Sequence, residues 1–295
     1  AVAEGRESAP SDEVTTQPAP GLSGYSIESN DSTLPAGEYS LAGASCGERI
    51  PVSGGIRASD VDASQHPGLD VQESWPDQIS LGGGSFQNVW GVRAFNDSGE
   101  DRDVTAYAIC IDPPDGLEVV DRDIFIDSGE EKTATLECPE DSGLVMLGAG
   151  LSHNLGGAHP DVRINASEPT FARSDSWTFR LVNDVIATRT VTLRGFCSLP
   201  PRGYQRLGSG GPSVATGEYA HESSSACNGP PWVDQNTVVL AGAHGGHQAH
   251  PAALRLEQSY PSEDGTRWHA GVFNTGSGAS GIVWYRNPLC AIQDP

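Results

Sequence analysis

Several residue types are scarce in this sequence, and each scarcity excludes a class of function. Lysine occurs once, at Lys132, and Lys and Arg together number 17 against 39 Asp and Glu, for a formal net charge of −22. Binding to nucleic acid requires clustered basic residues that neutralise phosphates, so we expect no nucleic-acid partner. The sequence also lacks a run of about 18 apolar residues, the length that a membrane-spanning helix needs, so no membrane span is predicted.

Familiar catalytic signatures are not evident either. We identify no nucleophile elbow of the Gly-x-Ser-x-Gly type, no His-Glu-x-x-His, no phosphate-binding glycine-rich loop and no EF-hand. The six cysteines show no CxxC spacing, which argues against a structural zinc site. Acidic residues are plentiful, but their spacing singles out no pair suited to glycoside hydrolysis. Whether the chain is an enzyme therefore stays open.

What the sequence does contain is one series of landmark residues, repeated three times in the same order. Each series runs from Gly-Glu through Cys, a Gly-containing apolar run, His-Pro, Ser-x-Pro and a Trp strand ending in Asn, to a final Cys; the central one spans Gly129 to Cys197. The interval from Trp to Asn is six residues in every series: Trp90–Asn96, Trp177–Asn183 and Trp268–Asn274. Constant order and spacing predict three homologous units.

The repeat also predicts the domain organisation. We expect a flexible tail at 1–17 and three β-repeats at 18–112, 113–199 and 200–295. Diproline followed by an early Gly marks the second and third boundaries, because such a segment continues neither a helix nor a central strand. Each unit has about 90 residues, the size at which a β-sandwich can bury its own core.

Periodicity within the units predicts strands. The Trp-to-Asn segments and the stretch Val104–Cys110 alternate largely with period two, as a strand with one buried face does. No long window keeps a helical period. The predicted fold is all-β, with three homologous sandwich- or prism-like units and a pseudo-three-fold internal repeat.

The repeat selects one pairing of the six cysteines among the fifteen that are possible. It predicts one disulfide per unit: Cys46–Cys110, Cys138–Cys197 and Cys227–Cys290. Paired cysteines indicate an oxidising compartment, so we expect a secreted protein. The N-terminus at Ala1, without an initiator Met or a signal-like apolar segment, is expected for a mature chain from which a signal has been removed.

The landmark residues resemble a pattern found in secreted actinobacterial proteins. The matching elements are Cys138-Pro139, Gly148-Ala149-Gly150, Ser259-Tyr260-Pro261, the Trp strands ending in Asn, and Tyr107-Ala108-Ile109-Cys110. The resemblance covers nearly all of residues 18–290 and implies an extracellular β-repeat fold, with no general activity attached. A weaker similarity is to the β-prism of vitelline-membrane outer-layer proteins, which also has three-fold internal symmetry.

The recurring His-Pro pairs suggest a metal site. If the units surround one axis, then His66, His159 and His250 lie at equal distances from it and could together hold zinc or copper with one position open. His153, His244 and His247 flank the same region and could assist. The alternative is a solvated loop turn that was copied with the repeat. Acidic stretches at 97–103 and 121–127 could bind calcium, or could simply form a charged, solvated surface.

Aromatic residues beside prolines suggest a sugar-binding surface. Trp75, Trp232 and Tyr260 lie next to Pro, in positions where an exposed ring could stack on a sugar. The Trp residues that begin the repeated strands, by contrast, are expected in the core near the disulfides.

The preferred interpretation is a secreted extracellular binding or cell-surface interaction protein whose partner is an extracellular polysaccharide or a cell-surface glycan. One alternative is a metal-dependent hydrolase, lyase or oxidase that acts on an extracellular polymer through the three-His site. A further alternative is a structural envelope protein.

Overall fold

The computed structural model describes residues 20–62, 65–82, 85–153, 162–170, 173–208, 210–227, 236–242, 244–246, 254–276, 282–285 and 288–294. In these ranges the chain forms β-strands and connecting turns and contains no helix, which confirms the predicted all-β class. A search of the same ranges for a helix long and apolar enough to cross a membrane finds none.

The first segment of the chain, residues 20–112, contains six strands. They are β1 (Ser26–Leu34), β2 (Tyr39–Gly47), β3 (Ile50–Ala58), β4 (Leu69–Gly82), β5 (Ser85–Asn96) and β6 (Arg102–Ile111). The second segment, residues 113–199, also contributes six. They are β7 (Glu118–Ile126), β8 (Glu131–Glu137), β9 (Val145–His153), β10 (Val162–Pro169), β11 (Ser176–Asn183) and β12 (Arg189–Ser198).

The third segment, residues 200–294, is divided into shorter strands. They are β13 (Gln205–Arg206), β14 (Gly210–Val214), β15 (Tyr219–Ser223), β16 (Thr237–Ala241), β17 (His244–Gly246), β18 (Leu254–Pro261), β19 (Trp268–Asn274), β20 (Ile282–Tyr285) and β21 (Leu289–Ile292).

Three six-stranded antiparallel sheets are each shared between two segments. One joins β1-β6-β3 to β18-β19-β15, the second joins β2-β5-β4 to β9-β12-β7, and the third joins β14-β20-β17 to β10-β11-β8. A three-stranded sheet, β13-β21-β16, completes the third segment. Every segment therefore shares a sheet with both others, so the segments are not separate beads on a string.

The junctions between segments fall at the serine of each Ser-x-Pro element. Their backbone pairs are Ser74 with Leu151, Ser167 with His244, and Ser259 with Ile56. In the part of the chain that the structure describes, each junction is short. Buried apolar clusters cross the junctions as well: Val52 and Ile109 of the first segment belong to the same cluster as Trp177 of the second.

The repeated tryptophans are buried, which confirms their predicted place in the core. Each indole Nε1 donates a hydrogen bond to the serine of the same segment. The pairs are Trp90 to Ser74 at 2.8 Å, Trp177 to Ser167 at 2.8 Å, and Trp268 to Ser259 at 2.9 Å. All three indoles line one internal cavity of about 30 Å³. The three segments therefore meet at a common centre.

The three disulfides join the predicted pairs, Cys46–Cys110, Cys138–Cys197 and Cys227–Cys290. Each bridge links two strands or turns of one segment and closes a loop of 59 to 64 residues. Closing loops of this length restricts the unfolded chain, which on the chain-entropy account contributes on the order of 4 kcal/mol per bridge.

Candidate functional site

The predicted histidine set is only partly within the described residues. His159, His247 and His250 lie outside them, and of His244 only the backbone in β17 is described. His66 Nε2 lies 2.7 Å from Glu257 Oε1, and its ring stacks on Phe273 with the ring centroids 4.3 Å apart. Among the described residues, no three His, Cys, Asp or Glu side chains are grouped to hold a metal ion. The three-histidine centre therefore stays a prediction.

His153 belongs to a buried network at the boundary between two segments. Its Nδ1 lies 3.0 Å from Glu73 Oε1, and Arg93 donates to the same oxygen at 2.9 Å. Both the imidazole and the carboxylate are almost fully buried, and His153 Nε2 has no hydrogen-bond partner among the described residues. Because Glu73 is paired with a cation, the network fixes the position of the Arg93 guanidinium, which lies beside Trp75.

Trp75 lies on the outward face of β4. Its neighbour Ser74 points to the core indole of Trp90, and successive side chains of a strand point to opposite faces. The Arg93 guanidinium carbon is 6.0 Å from the centroid of the Trp75 ring, within the range of a cation–π contact. The adjacent residue across the strand pair is Gly91, and a Cβ there would lie only 3.1 Å from the indole. A glycine at this position therefore lets the indole lie close to the backbone of β5.

An open groove runs beside this indole. Its volume is about 480 Å³, within the range of small-molecule sites. Its polar lining comes from Glu28, Asn30, Ser45, Asp77 and Gln87. Hydrogen bonds from Ser26 and Arg49 lower the pKa of Glu28, so this carboxylate is ionised at neutral pH. An exposed apolar residue, Leu41, also borders the groove.

One feature of this groove was missed in the sequence. Gly43-Ala44-Ser45-Cys46-Gly47 matches the letters of a Gly-x-Ser-x-Gly element, although we predicted no nucleophile elbow. The run lies inside β2, Cys46 is in a disulfide, and strand β3 rather than a helix follows. Ser45 Oγ accepts a hydrogen bond from the Gly47 amide. The motif was therefore overlooked in the sequence, but this run does not form the strand-to-helix turn that exposes a nucleophile.

Tyr260 takes part in a stack of rings on the sheet that contains β18. Its ring lies between Tyr107 and His269, with centroid distances of 5.7 and 4.9 Å, and its hydroxyl lies 3.1 Å from His221 Nε2. Arg57 lies 5.7 Å from the ring centroid. Tyr260 is 5% exposed, so it presents little ring surface to a sugar. Trp232 lies outside the described residues.

The two imidazoles of this stack are neutral at pH 7. Burial, followed by the nearby His269 and Arg57, lowers the pKa of His221 to about 4. Burial also lowers the pKa of His269, with Arg57 contributing in the same direction. The stacked rings are therefore uncharged, and the Arg57 guanidinium beside Tyr260 is the neighbouring charge that lowers both pKa values.

The stretches considered for calcium have partners within the protein. Residues 121–126 lie in β7 rather than in a loop. Arg194 Nε donates to Asp121 Oδ1 at 2.8 Å, and the Thr192 hydroxyl donates to Asp123 Oδ1 at 2.6 Å. In the other stretch, Asp97 accepts from Arg255 at 3.2 Å. These carboxylates bridge neighbouring strands, as the alternative of a charged surface implies.

No protein-family model matches this chain, and no curated protein matches it.

Proposed function

We propose that this chain is a secreted glycan-binding protein and that the groove beside Trp75 holds the sugar. One observation carries the proposal: a half-buried indole lines an open groove of about 480 Å³ whose other walls present carboxylate, amide and hydroxyl groups. Such a site offers an aromatic ring for the apolar face of a pyranose and polar groups for its hydroxyls.

The chemistry of the groove matches a sugar better than an apolar ligand. The apolar C–H face of a pyranose packs on the negative face of an aromatic ring, and the ring's hydroxyls require donors and acceptors at its edge. Glu28 and Asp77 supply acceptors, while Asn30 and Gln87 supply both donors and acceptors. Because Arg93 is fixed by Glu73, the indole keeps its orientation before a ligand arrives, which reduces the entropic cost of binding.

The negative charge of the protein limits the class of glycan that we expect it to bind. The chain carries a formal net charge of −22, and the groove contains the carboxylates of Asp77 and Glu28, of which Glu28 is paired with Arg49. Repulsion disfavours polymers with many carboxylate or sulfate groups. We therefore propose a neutral or amino-containing extracellular polysaccharide or cell-surface glycan as the partner.

The architecture that we propose for the whole protein is three homologous β-units, at 18–112, 113–199 and 200–295, around a pseudo-three-fold axis. The support comes from contacts that recur in each segment: the Trp–Ser hydrogen bond, the Ser junction and the disulfide. Three disulfides are also consistent with secretion. The similarity to secreted actinobacterial β-repeat proteins and to the β-prism stays a prediction.

The binding residue is specific to one unit under this proposal. The residue after the junction serine is Trp75 in the first unit, Glu168 in the second and Tyr260 in the third. Only the first presents an indole beside the groove. We therefore expect one glycan site per chain and not three.

Replacing the indole tests the proposal. We expect Trp75→Ala to weaken binding to a neutral or amino-containing polysaccharide by about 10-fold or more, because the stacking surface is lost. Retention on insoluble polysaccharides, followed by calorimetric titration with soluble oligosaccharides of the retained type, measures the change. Phe125→Ala is the matched control, since Phe125 is 63% exposed and lies on β7 at the far edge of the same sheet.

Two results would contradict the proposal. One is a folded wild-type protein that no neutral or amino-containing glycan retains. The other is a Trp75→Ala variant that binds as well as Phe125→Ala does. Thermal unfolding of both variants shows whether a loss of binding comes from a loss of fold.

A further inference from the structure

A second polar site involves three strands from three different segments. Strands β4, β10 and β18 contact one another. Each contains a β-bulge at the same place, between Val71 and Glu73, between Ile164 and Ala166, and between Leu256 and Gln258. The extra residues at these bulges are Gln72, Asn165 and Glu257, and each precedes its junction serine by two positions.

These bulge residues are polar and almost fully buried. Gln72 is 4% exposed, Asn165 2% and Glu257 0%, and Asp70, two residues before Gln72, is 9% exposed. A bulge redirects side chains locally and is typical of functional sites. Burying polar groups costs free energy unless they find partners.

Each side chain has at least one polar atom without a hydrogen-bond partner among the described residues. The unpartnered oxygens are Asp70 Oδ1, Gln72 Oε1, Asn165 Oδ1 and Glu257 Oε2, and Asn165 Nδ2 is unpartnered as well. Gln72 Nε2 donates to Asp70 Oδ2 at 3.1 Å, so these two side chains are in contact. Buried polar atoms in native proteins are nearly always satisfied. Four unpartnered oxygens on three strands that contact one another indicate a ligand that is coordinated by oxygen atoms.

One carboxylate of this set has no basic hydrogen-bond partner among the described residues. Arg255 donates to Glu257 at 2.7 Å and Arg163 pairs with Asp184, whereas Asp70 is hydrogen-bonded only by Gln72. Burial raises the pKa of Asp70, with Glu257 acting in the same direction and Arg255 and Arg163 opposing. A bound cation would offset the cost of burying this carboxylate in its charged form.

We propose that Asp70, Gln72, Asn165 and Glu257 bind one divalent cation of the calcium type. Calcium prefers carboxylate and amide oxygens, tolerates irregular geometry and completes its shell with water. Zinc and copper prefer nitrogen and sulfur ligands, which this set does not contain. Because the four residues come from three segments, the ion would also cross-link the segments. The site is separate from the Trp75 groove, and neither proposal depends on the other.

Calcium titration of the full-length, disulfide-intact protein tests this inference. After treatment with a chelator and its removal, we expect calorimetry with calcium chloride to give one site per chain, and the unfolding temperature to rise with calcium concentration. We expect Asp70→Asn and Asn165→Ala each to weaken calcium binding by about 10-fold or more. Asp123→Asn is the matched control, because Asp123 lies on the edge strand β7, where it accepts a hydrogen bond from Thr192 on β12, and this variant should bind calcium as the wild type does.

Three outcomes would overturn the inference. The first is a folded, chelator-treated protein that neither binds calcium nor gains thermal stability from it. The second is calcium binding that both Asp70→Asn and Asn165→Ala retain at full strength, which would place the ion elsewhere. The third is a loss of binding in Asp123→Asn equal to that in the other variants, which would indicate general attraction to an acidic surface. Two independent variants are used so that one that fails to fold leaves the other as the test.

Discussion

The substitution Gly242→Ala is expected to destabilise the protein by about 3 kcal/mol or more. A Cβ at this position would lie 1.8 Å from Trp268 Cγ, well inside the contact distance. Trp268 is 1% exposed and donates to Ser259, so the indole cannot move aside without losing that bond. Urea unfolding followed by tryptophan fluorescence measures the free energy of unfolding.

Gly208→Ala is the control for this experiment. No heavy atom lies within 4 Å of a Cβ built at Gly208, so the same added methyl group should change stability by less than about 0.5 kcal/mol. Equal stability of the two variants would contradict the close approach of β16 and the Trp268 indole.

The substitution Asn183→Ala is expected to cost about 3 kcal/mol. The buried side-chain amide donates to the carbonyl oxygens of Ile126, Asp127 and Ala187, at 2.9, 3.1 and 2.8 Å. Removing the amide leaves the buried Ile126 carbonyl and two partly buried carbonyls without this donor, and each buried acceptor left unpaired costs roughly 1 to 3 kcal/mol. The free energy of unfolding in denaturant again provides the measurement.

Asn88→Ala is the matched comparison for this second substitution. Asn88 also donates to two backbone carbonyls, those of Glu48 and Arg49, but the site is partly exposed. Water can replace these bonds, so we expect a loss of less than about 1 kcal/mol. If Asn88→Ala is as damaging as Asn183→Ala, then the described role of the buried asparagine is wrong.

The strands and the disulfides could be predicted because their signals are local or repeated. The segment Trp268–Asn274 is itself strand β19, and Asn96 and Asn183 are the last residues of β5 and β11. Alternation of apolar and polar residues is sufficient to indicate a strand, and a cysteine at each end of a repeated unit is sufficient to suggest its partner. Both signals can be recognised without any knowledge of the tertiary structure.

The role of the repeated asparagine could not be derived from the sequence. Its amide reaches the end of an early strand of the same segment, β1, β7 or β14. The acceptors are the carbonyl oxygens of Leu34, Ile126 and Val214. The partner lies about 60 residues away in sequence, and no periodicity reports such a contact.

Sheet sharing and the buried polar site could not be derived from the sequence. The pairing of Ser74 with Leu151 joins two strands from different segments. Period-two alternation shows which residues of a strand share a face, but it does not show which strand lies beside it. The bulges that turn Gln72, Asn165 and Glu257 inward are likewise set by tertiary pairing. Trp75 and Tyr260 occupy the same position of the repeat but differ in exposure, because they pack against different neighbours.

Scanning calorimetry of the full-length, disulfide-intact protein tests most directly the central claim that the three segments form one structure with shared sheets. Leu256 of the third segment is buried in the same cluster as Val92 of the first, and Val52 of the first in the same cluster as Trp177 of the second. We therefore predict one unfolding transition whose calorimetric and van't Hoff enthalpies agree. Two or three separable transitions would contradict the claim, because they would mean that the segments unfold independently.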